Sequence, residues 1–335
     1  MSKPKVAWVG GIYFRDDFAR QGFDVRTVNF SGPRALNWNE LCEAADCEPE
    51  VVIYTDRSLP PPLVGIESFP CLSVFYCIDS HIHEWYPLYA QGFDLCAVSL
   101  RDHMSRFRLR LDERAVFWLP PYPIRDEHAP VEQPERLWPL LFAGTVDPET
   151  TPERKVFLDR IKELMPELEV RSGEFETLFP QAEIVLNIAE RGDLNFRVFE
   201  ALATGACLLT PEVGHGQSEL FEDGRHLFTY PLNDPEAAAE KARELLTHPE
   251  RMRTARREGL AAIDARHRRS HRAEQLAKTV RKALSYSPVQ QRLREVPAIH
   301  ERFLRLVYLH WAQAERGSEL GARYLAAGRS APARS

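Results

Sequence analysis

The stretch Ile188-Ala189-Glu190-Arg191-Gly192-Asp193-Leu194-Asn195-Phe196-Arg197-Val198-Phe199-Glu200-Ala201-Leu202-Ala203-Thr204-Gly205-Ala206-Cys207-Leu208-Leu209-Thr210 reads as strand end, polar loop, helix and strand. The apolar run Glu183 to Ile188 leads into it as a strand. The spacing of Phe196, Phe199, Leu202 and Ala203 predicts a helix over Phe196 to Thr204. Gly205 ends it, because glycine takes the left-handed conformation that closes a helix without steric cost. Cys207 to Thr210 then returns as a second apolar strand. Nearly continuous apolar strands joined through a helix belong to a parallel sheet buried on both faces.

The same alternation runs outward on both sides. Upstream in this half, Leu140 to Ala143 is a strand, Pro152 to Leu164 a helix and Leu168 to Arg171 a strand. Downstream come the strand Leu227 to Tyr230 and helices Pro235 to Thr247 and Pro249 to His267. The first third repeats the pattern, with strands Lys5 to Val9, Asp24 to Val28, Glu50 to Tyr54, Leu72 to Ile78, Asp94 to Ser99 and Ala115 to Leu119. Prolines 120, 121, 123, 130 and 134 cluster between the two series, and proline holds a chain extended. The expected fold class is therefore α/β, two Rossmann-like doubly wound domains facing a cleft. The expected domains are 1–130 and 131–285. A helical hairpin over 286–327 follows, with Val296 to Arg316 and Ser318 to Ala327 joined at Gly317, and residues 328–335 form a disordered tail. The hairpin's Trp311, Gly317, Ala322 and Leu325 resemble a tetratricopeptide pair. One copy cannot bury its own face, so packing on the body is the plainer expectation.

Composition removes several classes of function. Net charge is −6, which gives no basic excess for nucleic acid. The cationic block Arg251 to Arg272 reads first as a solvated helix face, and otherwise as a phosphate, acceptor or lipid contact. No apolar run approaches the roughly 20 residues of a membrane helix. The amino terminus enters a strand with no signal-peptide pattern, so a cytoplasmic location is expected. Six cysteines contain no Cys-x-x-Cys pair, and neither zinc nor redox chemistry is indicated.

Chemistry concentrates in the opening stretch. Asp193 and Asn195 are candidate caps of the predicted helix, whose free N–H groups would attract phosphate. Arg197 falls in the first turn, where a cation opposes the helix dipole unless an anionic ligand pairs with it. Glu200, three residues on, projects to the same side. Its carboxylate can accept both hydroxyls of a ribose. A plain capped helix with a surface Arg–Glu pair would give the same local pattern.

This segment resembles the donor-binding element of family 4-type GT-B glycosyltransferases, in the branch named for CgeB-type spore-maturation proteins. That branch carries Asp-Leu-Asn-x-Arg-x-Phe-Glu-Ala followed by a glycine and an apolar strand. Other segments match in order: Asp79-Ser80-His81-Ile82-His83, Tyr89 to Asp94, Trp118-Leu119-Pro120, Phe142-Ala143-Gly144-Thr145, Glu219 to Gly224, and Arg266-His267. The resemblance covers residues 70 to 285. It implies that Glu200 holds the nucleotide ribose and that the backbone of Asp193, Leu194 and Asn195 faces the pyrophosphate. Gly144 and Thr145 would form the turn a diphosphate approaches, with Arg154 as a phosphate cation and Glu219 near the donor sugar. Gly11, beside Gly10, matches a glycine turn that lets a sugar approach the backbone. The family's first paired glutamate falls on Gly192, a departure that Glu190 or Asp193 would have to make good.

Asp79, His81 and His83 lie just past the carboxyl end of the strand Leu72 to Ile78, where open α/β sheets bind ligands. Imidazole titrates near neutrality and suits proton transfer. If the strand continued, alternation would point His81 and His83 the same way. These three are the candidate catalytic residues, His81 foremost.

The expected function is metal-independent transfer of a sugar from a nucleotide diphosphate sugar to an acceptor hydroxyl. The acceptor is unidentified and could be protein, polysaccharide or small molecule. The resemblance implies retention of configuration, with the donor on the second domain and the acceptor on the first. Closure at the 120–134 linker would exclude water. No Asp-x-Asp occurs in the chain, so no metal ligand set and no permanently bound cofactor are expected. The rival readings are a nucleotide-sugar epimerase of the same fold and a non-catalytic nucleotide-sugar or glycan-binding module.

Overall fold

A computed structural model describes residues 3–30, 32–125 and 135–329. The chain divides into two compact units, residues 1–120 with 272–335, and residues 121–271. The first opens with β1 (Lys5–Gly10), α1 (Arg15–Arg20), β2 (Asp24–Val28), α2 (Trp38–Ala45), β3 (Val51–Thr55), β4 (Leu72–Cys77), α3 (Tyr86–Tyr89), β5 (Leu95–Val98) and β6 (Val116–Trp118). These strands form one parallel sheet in the order β2-β1-β3-β4-β5-β6. Every residue of β3, β4 and β5 is buried, which is why their sequences run apolar rather than alternating. The order reverses between β1 and β3, and the carboxyl ends at such a switch point are where doubly wound sheets bind ligands.

The second unit repeats the plan with β7 (Trp138–Ala143), α4 (Pro152–Leu164), β8 (Leu168–Arg171), α5 (Phe175–Leu178), β9 (Ala182–Leu186), α6 (Phe196–Ala203), β10 (Leu208–Pro211), α7 (Gln217–Leu220), β11 (Phe228–Tyr230), α8 (Pro235–Leu246) and α9 (Pro249–Arg266). Its parallel order is β11-β10-β9-β7-β8, reversing between β7 and β9. Asp234 caps α8 by accepting from Ala237 N–H at 2.8 Å, and Pro235 occupies the first turn, where no donor is needed. The cationic block is largely ion-paired: Arg253 with Glu250, Arg256 with Glu183 and Arg268 with Asp264.

The remaining helices are α10 (Arg269–Tyr286), α11 (Val289–Arg294), α12 (Val296–Ile299), α13 (Arg305–Ala314) and α14 (Glu319–Arg329). From residue 272 onward they belong to the first unit. The chain thus divides after 120 and after 271, not at the expected 130 and 285, and the hairpin is not a body of its own. Ile299, Phe303, Leu304, Val307, Tyr308 and Tyr324 share one apolar cluster with Tyr54 and Phe75 of the sheet. Tyr308 Oη accepts from Gly65 N–H at 3.0 Å, and Tyr324 Oη donates to Pro61 O at 2.7 Å. The expected single helix Val296 to Arg316 is broken by a π turn over His300–Leu304. The tail expected from 328 is helical through Arg329, and residues 330–335 lie outside the described ones. So do 126–134 of the proline-rich linker. Helix α2 went unread, although Asn37 and Glu40 are three apart and form a reciprocal capping box.

Candidate donor site and candidate catalytic turn

In the second unit, side chains from α4 and α6, the helices that follow β7 and β9, converge on one aromatic ring of β7. Arg197 lies over Phe142 at 4.8 Å from the ring centroid, and Arg154 over the same ring at 5.8 Å. Arg154 donates to Thr145 O at 2.7 Å and pairs with Glu190 at 3.1 Å. Arg197 donates to Asn187 Oδ1 at 3.3 Å. Burial, and then the like charge of Arg154, lower the Arg197 guanidinium to about 10, so it stays a cation at neutral pH. A β-carbon at Gly144 would come within 2.6 Å of Arg197 Nη2. Glycine there makes room for the guanidinium, a neighbour other than the diphosphate that the resemblance implies.

Asn195 occupies the N-cap position of α6 but makes no capping bond, contrary to the expectation. Its Nδ2 instead donates to Ile188 O at 3.3 Å, and its buried Oδ1 has no hydrogen-bond partner. The first-turn N–H groups of α6 are left without that side-chain cap, beside two guanidinium groups. Such an arrangement favours an anion. Asp193 adds negative charge near Arg197, and Leu194 is a buried anchor of the loop.

Glu200 follows one turn later. Burial raises its carboxyl to about 7, while Arg197 pulls it down and Glu176 pushes it up. It is held near a cation, Arg197, which favours its ionised form. Glu219 is exposed on the first turn of α7, after β10.

Gly192, where the family pattern has a glutamate, has φ +69. The turn that requires it is closed by Gly192 N–H donating to Ala189 O at 3.0 Å. An L-residue in this conformation costs roughly 1–2 kcal/mol. Gly192→Glu should therefore not restore the family contact, and it should lower thermal stability by about that amount. A gain in donor affinity at unchanged stability would contradict this. Glu190, one of the two residues offered in its place, is engaged with Arg154.

In the first unit the strand ends at Cys77 and the chain turns, with Ile82 N–H donating to Asp79 O at 2.9 Å. The strand alternation expected for His81 and His83 is thereby lost. His83 packs on Trp85 and Tyr86, with ring centroids 5.7 Å and 5.1 Å away, and its Nε2 lies 3.4 Å from Ser58 O. His81 Nδ1 is buried without a hydrogen-bond partner. Asp79 Oδ2 accepts from Ser58 Oγ at 2.8 Å. Gly11 is not a bare approach to backbone, because the Tyr13 ring occupies the space a β-carbon would take, 2.0 Å away.

The sequence reading missed Asp56, Ser58 and Tyr13 in this unit and Phe142 and Asn187 in the other. A usable signal existed: Asp56 and Asn187 are each the polar residue that follows a buried strand at a topological switch point.

Residues 162–278 match the family described as glycosyl transferase-like. No curated protein matches the chain. HepE of Anabaena, solved with UDP and glucose, is similar with a TM-score of 0.58 and 11% identity, covering 83% of this chain and 99% of that one. Sucrose-phosphate synthase of Thermosynechococcus elongatus is similar with a TM-score of 0.60 and 12% identity, over 85% and 100%. A glycosyltransferase of Rickettsia africae gives 0.60 and 10%, over 86% and 100%. At such identities the likeness establishes the fold: two parallel-sheet α/β units of the GT-B glycosyltransferase kind, with a helical C-terminal region. Among the described residues no helix is long and apolar enough to cross a membrane.

Proposed function

We propose that this protein is a glycosyltransferase that takes a sugar from a nucleoside diphosphate sugar and passes it to an acceptor hydroxyl. The observation that carries the reading is the Arg154–Phe142–Arg197 stack beside the N-terminus of α6, with Glu200 one turn further on. Diphosphate needs two or more cationic or N–H partners, and a ribose diol needs a carboxylate acceptor. Both sets are present at the point where β7 and β9 reverse the strand order. The match of residues 162–278 to a glycosyl transferase-like family supports the same reading, as does a neighbour of this fold solved with UDP and glucose.

The finer assignments are proposed with it. Gly144, Thr145, Arg154, Asp193, Leu194, Asn195 and Arg197 serve the diphosphate, Glu200 the ribose and Glu219 the donor sugar. Asp79, His81 and His83 serve the acceptor hydroxyl, His81 moving the proton through the nitrogen that lacks a partner. The enzyme belongs to the CgeB-type, family 4-like branch, works in the cytoplasm and retains anomeric configuration.

Transfer is metal-independent in this reading, because Arg154 and Arg197 offset the diphosphate charge. Activity should be unchanged in excess EDTA, measured as nucleoside diphosphate release from a panel of UDP-, GDP- and ADP-sugars. Loss of turnover on chelation, restored by added Mg²⁺, would overturn that part. Epimerised sugar without an acceptor, or tight binding without turnover, would overturn transfer itself.

A further inference from the structure

Asp56 follows β3 and is fully buried at the first unit's switch point. Its Oδ1 accepts from Tyr86 Oη at 2.5 Å and from Ser58 N–H at 2.8 Å. Its Oδ2 accepts from the Asp79 N–H at 3.2 Å, and its carbonyl accepts from Tyr13 Oη at 2.9 Å. The β1 loop, the β3 loop, the turn after β4 and α3 therefore meet on one residue. Two of its partners sit in the left-handed region without being glycine, Tyr13 at φ +42 and Ser58 at φ +54. Backbone strain of this kind persists where surrounding contacts over-determine it, and it gathers at functional sites. Ser58 in turn donates to Asp79 Oδ2, and its carbonyl lies beside His83.

We propose that Asp56 is a positioning residue for sugar transfer, its ionised carboxylate fixing the turn that carries Asp79, His81 and His83. The inference rests on the glycosyl-transfer reading. Three donors converge on the two oxygens, so both oxygens must accept. Asparagine has the same size but presents an NH₂ to one side, and one link is then lost. Protonation of the carboxyl has a similar effect. Burial lifts Asp56 to about 6, with the Tyr86 hydrogen bond opposing the rise. The other titratable groups facing it are Asp79, Tyr13, Tyr54 and Cys77. The clamp is complete well above about pH 6, is half open at that value and opens further as the pH falls.

The test compares wild type with Asp56→Asn in the full chain, with UDP-glucose as probe donor and UDP release as the readout. Asp56→Asn should leave UDP-glucose affinity unchanged and lower kcat by about 100-fold at pH 8, the usual cost of small misplacement. It should also abolish the acid limb of kcat near pH 6. Amide exchange over residues 79–83 should quicken by about tenfold or more, as that turn opens locally. Tyr86→Phe removes a single donor and should shift kcat and exchange in the same direction by less; it also serves if Asp56→Asn folds poorly. A wild-type kcat and acid limb in Asp56→Asn, or unchanged exchange over 79–83 in both variants, would overturn the proposal. If the wild type releases no UDP while exchange over 79–83 rises in the variants, the glycosyl-transfer reading falls and the clamp stands.

Discussion

Arg292→Leu should destabilise the first unit by about 3–5 kcal/mol, the usual cost of removing one partner of a buried ion pair. Arg292 is fully buried on α11, and all of its guanidinium nitrogens are occupied. Nε donates to Asp94 Oδ1 at 2.9 Å, Nη1 to the carbonyls of Ile66 and Glu67, and Nη2 to those of Phe69 and Cys71. Asp94 is buried as deeply, and its other oxygen accepts from Ser73 N–H and Oγ. Leucine would leave a buried carboxylate oxygen and the carbonyls of Glu67, Phe69 and Cys71 without this donor, while Ile66 O keeps the Phe69 N–H at 3.2 Å. For a unit of this size the thermal midpoint should fall by about 10 °C. Arg292→Leu combined with Asp94→Asn should recover part of the loss, since the stranded charge is then gone. A fall of less than about 2 °C, or a double variant no better than the single one, would show that the pair is not what holds α11 to the sheet.

That contact also explains where the sequence stopped being legible. Parallel strands were readable because burial on both faces leaves continuous apolar runs such as Leu72 to Cys77, a local property. Membership of a unit is not local. The Arg292 side chain reaches carbonyls more than 220 residues earlier in the chain, and nothing in Val289–Arg294 announces its partners. Packing of the hairpin on the body was the plainer expectation, but which core it joins, and that the chain joins it from residue 272 onward, was not legible. The candidate sites divide in the same way. Arg197 and Glu200 lie on one helix, so their spacing was visible. The shared Phe142 ring comes from a strand more than 50 residues away, and the matched string Phe142 to Thr145 did not reveal that two arginines meet on it. Asp56 was missed because its meaning lies in Tyr86 and Asp79, which only the fold brings to it. The orientation of His81 and His83 was not legible either: alternation would relate them only if the strand continued, and it stops at Cys77.

Glu200→Gln should separate stability from binding in a way that a structural Arg–Glu pair would not. Glu200 has its carboxyl raised to about 7, mainly by burial. A carboxyl with a folded pKa above its unfolded value is a liability when ionised. The cost is absent below about 4.5, grows as pH rises and is complete above about 7. Glutamine removes the charge and keeps the shape, so without ligand the variant should be as stable as wild type at pH 8, or more so. Donor binding should move the opposite way. A ribose diol donates two charge-assisted hydrogen bonds to the carboxylate, worth about 1.5–3 kcal/mol each. Losing that carboxylate should weaken UDP-glucose binding by at least about 100-fold, with Glu200→Ala weaker still. Wild-type affinity should rise with pH as Glu200 ionises through about 7, and the Gln variant should show no such rise. UDP-glucose suits the measurement because its diphosphate has no proton to lose in that range, and Arg197 at about 10 stays charged throughout. Calorimetry at pH 6 and pH 8 with both proteins gives the answer. Unchanged affinity in the Gln variant would remove Glu200 from the donor site, and a destabilised variant with normal affinity would make the residue a structural one.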